Sequence, residues 1–175
     1  LMANVSDDST HARQCNQGAR PHPYRAAGRG DTVADVAAKT KELLDRVGRR
    51  GPHGVDTGDL GFTGLPGAVF VPRDAPSPAP VIGFAHDWTK GPRHYVDTLK
   101  HLASWGFVVV GPSTDNSGRP NHQRFADHLS AAIEDVLQSQ LGRGKVRADP
   151  RRIGLAGHGL GGGVAALLAA QRTDV

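Results

Sequence analysis

The chain has 175 residues, enough for one domain with its own core, and its 38% hydrophobic and 22% charged residues are the balance of a soluble globular protein. The net charge of +4 comes from arginines scattered along the sequence, without the basic block and interleaved aromatics of a nucleic-acid surface, so nucleic acid is not an expected partner. Cys15 is the only cysteine, which excludes an intrachain disulfide and a cysteine-built metal site, and no apolar run approaches the roughly 20 residues of a membrane span.

Residues 1–30 are polar, rich in Arg, His, Gly and Pro and without periodicity, the pattern of an irregular arm. Asp31 or Thr32 can cap a helix in which Val33, Val36, Ala37, Leu44 and Val47 recur at helical spacing and which Gly48 stops. Between Gly51 and Pro72, glycines punctuate two short apolar segments, around Val55 and over 68–71, as in an antiparallel hairpin. A proline-rich loop over 74–80 follows. Strand and helix then alternate, the signature of a mostly parallel sheet with crossover helices. The expected strands cover 81–85, 107–110 and 153–156. The helices between them carry Tyr95, Leu99 and Leu102 on one face, then Phe125, Leu129, Ala132, Ile133 and Val136. A last helix, from Gly161 to about Ala170, is apolar on most sides, as for a helix covered by sheet and neighbours. Asp115 and Asn116 fall in the turn after the second of these strands. The expected class is α/β, a three-layer sandwich with a mostly parallel sheet, with 31–175 as one domain behind the arm.

The densest chemical signal is Gly157-His158-Gly159-Leu160-Gly161, placed between the last strand and the last helix. A G-x-S-x-G turn at that point is a nucleophile elbow, and here glycine stands in the serine slot. Three further segments agree in order with one family: Gly83-Phe84-Ala85-His86-Asp87-Trp88, Leu102-Ala103-Ser104-Trp105-Gly106-Phe107-Val108-Val109, and Asp149-Pro150-Arg151-Arg152-Ile153 ahead of the elbow. From about Gly54 onward the chain resembles the α/β-hydrolase superfamily, particularly its dienelactone-hydrolase-like and cutinase or polyester-hydrolase-like branch.

That resemblance implies serine ester hydrolase descent, with an oxyanion hole built from the main-chain N–H groups of Trp88 and Leu160. It also implies a pocket formed by His86, Asp87, Trp88 and His158, with the Trp88 ring beside the ester, and a small ester or carboxylate as ligand. Gly159 removes the nucleophile, the side chains of His158 and Leu160 are expected to point away from the tip of the turn, and the acid and histidine that follow the nucleophile in the family order have no counterpart. The chain is therefore expected not to hydrolyse esters as it stands. A noncatalytic relative that binds a ligand or partner is the alternative. The resemblance spans the N-terminal half of the fold, so a C-terminal companion segment or a second copy is expected to complete the sheet. No cofactor is expected, and a reducing cytoplasm is the default compartment, with a secreted mature form as the alternative.

Gly157, Gly159 and Gly162 also spell G-x-G-x-x-G, the outline of a dinucleotide-binding turn, with Asp174 downstream. Against it, the motif follows at least two earlier strand-helix units instead of opening the first. His86, Asp87 and His158 near adjacent strand ends could suggest a metal, but packing behind the elbow is the stronger reading and no metal is expected. His94, His101, His122 and His128 are read as surface residues, Arg143, Lys145, Arg147, Arg151 and Arg152 as a solvated basic run, and Trp105 as packing at a helix end.

Overall fold

The structure is a computed structural model that describes residues 32–61, 64–114 and 119–175, so the arm expected over 1–30, the alternative cap Asp31 and the turn residues Asp115 and Asn116 lie outside the described residues. The chain divides into two units, Leu1–Leu43 and Leu44–Val175. Helix α1 (Val33–Val47) opens on a reciprocal cap. The Asp35 N–H donates to Thr32 Oγ1 at 3.1 Å while the Thr32 N–H donates to the Asp35 carboxylate at 3.0 Å, which satisfies two amides that the first turn leaves without helical partners. The apolar stripe of α1 forms as its spacing predicts, yet no residue of the helix is buried.

The second unit holds one five-stranded sheet in the order β1-β2-β4-β3-β5. Strands β1 (Val55–Asp59) and β2 (Gly67–Pro72) form the expected hairpin, and β2 continues antiparallel onto β4 (Val108–Pro112). Strand β3 (Ala79–Ala85) lies between β4 and β5 (Ala148–Gly157), parallel to both. Helix α2 (Val96–Ser104) joins β3 to β4, α3 (His122–Gln138) joins β4 to β5, and α4 (Leu160–Gln171) follows β5.

Because strand side chains alternate between faces, successive residues of one strand enter two different cores. Val69, Val71, Val81, Val108 and Val110 pack with Phe125, Leu129 and Ile133 of α3 and with Val164 and Leu168 of α4. Phe70, Phe84 and Val109 face the other way, onto Leu99 and Ala103 of α2. The result is helix, sheet and helix in three layers, as expected for an α/β protein of this class. Arg172 fixes the end of α4 to α3, donating to Ser130 Oγ at 3.0 Å and pairing with Glu134 at 2.8 Å.

Two expectations change. Helix α4 is not covered on most sides: among the described residues Gly161, Val164, Ala165 and Leu168 form its one buried stripe, and Ala166, Ala169 and Ala170 are exposed. Alanines there leave little apolar area in water and favour the helix, so a continuous apolar sequence does not demand burial all round. Strand β5 is also longer than its apolar stretch. Ala79 pairs with Ala148 and Val81 with Ile153, so the polar segment 149–152 bulges within the strand rather than forming a loop. Strand β5 ends the sheet, beside an open hollow of about 980 Å³ lined by Val81, Ile82, Phe107, Leu155 and Val175 among others.

Candidate functional site

The register of β3 on β5 places Ala85 opposite Gly157, so the loops that leave these two strands meet at the carboxyl edge of the sheet. The His158 N–H donates to the Ala85 carbonyl at 3.1 Å and extends the ladder by one residue. The chain then reverses at Gly159, with φ 56° and ψ −123°, and α4 starts at the next residue. Side chains other than hydrogen rarely tolerate that backbone conformation. The flanking glycines are required by space. A β-carbon on Gly157 would lie 2.2 Å from the Gly161 carbonyl oxygen, and one on Gly161 would lie 2.1 Å from the Ala85 carbonyl oxygen.

The loop after β3 is held from behind by His86, which is 1% exposed. Its Nε2 accepts from the Thr114 N–H at 3.1 Å, so Nδ1 carries the proton and donates to the Asp87 carbonyl at 2.8 Å. The ring lies against Phe125 with centroids 4.7 Å apart. Burial lowers its pKa below the ordinary histidine value, keeping the imidazole neutral. With both nitrogens engaged, His86 shapes the loop and offers no nitrogen to a ligand or metal.

Asp87 is the centre of the site. Its Oδ1 accepts from the Trp88 N–H at 2.9 Å and from the Leu160 N–H at 2.9 Å. Leu160 is the first residue of α4, so the carboxylate also meets the positive end of a helix. The Leu160 amide, then the Trp88 amide, hold its carboxyl below the usual carboxylate range. The two amides assigned to one site in the sequence thus converge on one oxygen, and that oxygen belongs to the chain itself.

Two residues complete the cluster. His158 does not turn away from the tip as expected: its Nδ1 lies 4.0 Å from Asp87 Oδ2 and 3.1 Å from the Tyr95 hydroxyl. Tyr95 Oη in turn accepts from the Asp87 N–H at 3.2 Å, and its ring packs on Phe84 at 4.9 Å. The spacing of Tyr95 to Leu99 and Leu102 matches a helix face and carries no signal of a site residue, whereas Tyr95 closes the short 3₁₀ turn Pro92–Tyr95 that leads into α2. Trp88 is 43% exposed beside the cluster. Trp105 donates its indole N–H to the Arg49 carbonyl at 3.2 Å, a packing role. His94 and His122 are exposed, His101 is half-buried, and His128 lies 3.3 Å from the Thr114 hydroxyl. Among the described residues no group of three or more His, Cys, Asp or Glu could hold a metal ion, and no helix is long and apolar enough to cross a membrane.

A sheet in which β4, β3 and β5 run parallel, helices on both faces, and a glycine-flanked strand-to-helix reversal beside the loop of a neighbouring strand define the α/β-hydrolase class. Within that class, the chlorophyllase family model matches residues 63–175, and the chain belongs to that family. It is 29% identical over 142 residues to the cutinases est1 and est2 of Thermobifida alba, a match covering 78% of this chain and 46% and 45% of theirs. It is 38% identical over 74 residues to lipase 1 of Moraxella sp. (strain TA144), covering 42% of this chain and 22% of that protein. The chain spans less than half the length of the curated relatives it matches. Its descent is that of ester hydrolases.

Proposed function

We propose that this chain is a protein of serine ester hydrolase descent that does not itself hydrolyse esters, and that the Trp88 and Leu160 amides form its site for a carbonyl or carboxylate oxygen. The observation that carries the reading is Gly159, which occupies the elbow where a hydroxyl nucleophile belongs. Two main-chain donors aimed at one point are what an acyl-transfer site uses to hold an oxyanion, and being backbone groups they are independent of the side chain lost at 159. Without a nucleophile, those donors can bind and polarise but cannot form an acyl intermediate.

The dinucleotide reading has less behind it. In that fingerprint the third glycine allows close packing of helix on strand, yet a β-carbon on Gly162 would meet nothing nearer than the Gly157 carbonyl oxygen at 3.8 Å. Gly161 is the residue with no room, which fits G-x-x-x-G spacing about an elbow. Asp174 is paired with Arg172 at 2.5 Å.

The test is turnover of p-nitrophenyl acetate and butyrate by the intact chain against a heat-denatured control. The expected rate is background. A saturable rate above about 1 s⁻¹, within the ordinary enzyme range, overturns the reading.

A further inference from the structure

We propose that Asp87 is the resident ligand of the paired amides: the chain closes its own anion site with this carboxylate, and the β-carbon missing from Gly159 is what makes room for it. The inference rests on the reading of Trp88 and Leu160 as a carbonyl-oxygen site.

The carboxylate is bound there, with Oδ1 2.9 Å from each of two N–H groups that lie 72 positions apart in the chain, 88 and 160. It is also aimed. The Asp87 N–H is taken by Tyr95 Oη and the Asp87 carbonyl by His86 Nδ1, and His86 is itself fixed by the Thr114 amide, so the backbone on both sides of the side chain is pinned. Space makes the arrangement exclusive. A β-carbon on Gly159 would lie 2.1 Å from Asp87 Oδ1 and 2.4 Å from its Cγ, so any side chain at 159 and Asp87 in this position cannot coexist.

A small free monocarboxylate would make the same two hydrogen bonds that Asp87 makes. Asp87 competes at the effective concentration of a tethered group, commonly in the millimolar range or above, so it excludes the free anion. Moving Asp87 aside opens the site to a monocarboxylate or an ester carbonyl.

Sodium butyrate, titrated calorimetrically into the full chain at pH 7, tests this. Wild type is expected to bind weakly, and Asp87→Ala at least about tenfold more tightly, because the tethered competitor is gone. Asp87→Asn separates occupancy from charge. Its amide oxygen can go on accepting from both N–H groups, so it is expected to stay within about threefold of wild type. Gly159→Ala expels the carboxylate but sets its own β-carbon 2.1 Å from the place where the anion oxygen would sit, so it is expected to stay closed to butyrate, unlike Asp87→Ala. Equal affinity in wild type and a folded Asp87→Ala overturns the proposal, as does Asp87→Asn opening as far as Asp87→Ala. If Asp87→Ala does not fold, Asp87→Gly, which likewise lacks the carboxylate, is titrated in its place with the same expectation. Ester turnover by wild type would undo the proposed function, whereas these titrations speak only to Asp87.

Discussion

Asp87 and Gly159 are fitted to each other: the carboxylate of one stands 2.1 Å from where the β-carbon of the other would be. The nearest obstacle at 159 is thus the end of a side chain rather than backbone, so a substitution there pushes Asp87 out instead of breaking the turn. The remaining cost is conformational, since φ 56° and ψ −123° strain any other residue by about 1–3 kcal/mol. Gly159→Ala should lower stability to urea by about that amount. The pair should also be non-additive, with Asp87→Ala/Gly159→Ala losing less than the sum of the single variants, because the double variant has no carboxylate to displace. Strict additivity would mean that the two residues do not share this space.

The glycine run at the start of α4 gives a sharper contrast. Gly161 has the Ala85 carbonyl oxygen 2.1 Å from its virtual β-carbon, while Gly163 has nothing within 4 Å. Gly163→Ala should stabilise the protein by about 0.5–1 kcal/mol, the helix propensity difference between the two residues. Gly161→Ala must separate helix from strand and should fail to give a cooperative melt. If thermal unfolding shows both variants equal to wild type, the close contact of α4 with β3 is not present.

The elbow was legible in the sequence because its requirements are local: a strand, glycines two residues apart and a helix start all lie within 153–161. The two cores were legible for the same reason, through the alternation of residues such as Val69, Phe70 and Val71. The occupant of the site was not. Asp87 meets Leu160 only because β3 lies beside β5 in one particular register, and no local pattern encodes which strands are neighbours. Tyr95 was hidden by falling in phase with Leu99, and the length of β5 by a bulge that carries Pro150 and two arginines. The exposed face of α4 shows the converse limit, since alanines satisfy both a buried and an exposed helix.

Arg172 is expected to act as a clasp between α4 and α3. Its side chain is 11% exposed and bonds Ser130 as well as Glu134 and Asp174. Its two carboxylate partners are about half exposed and regain water when it is lost, so Arg172→Met should cost only about 1–2 kcal/mol, less than breaking a fully buried pair. Limited proteolysis locates the effect: the variant should be cut first near the end of α4. Unchanged stability and an unchanged cleavage pattern would remove the clasp from the account.

His86 should give the protein a specific acid sensitivity. Its pKa is lowered from 6.5 by burial, so below that pH the unfolded chain takes up a proton that the folded chain refuses. Stability from this group is therefore complete above pH 6.5 and falls as the pH drops from 6.5 toward the lowered folded value, with a slope of at most about 1.4 kcal/mol per pH unit for one proton. Protonation would also place a second donor against the Thr114 N–H, which is itself a donor to Nε2. His86→Gln should be less stable than wild type at pH 8, because a buried amide or carbonyl loses its partner. Its stability should nevertheless change less between pH 7 and pH 5, since the titrating group is gone. Urea unfolding of both proteins across that range isolates the histidine from the eight others, which are common to both. Parallel curves would show that the imidazole behind Asp87 does not carry the acid response.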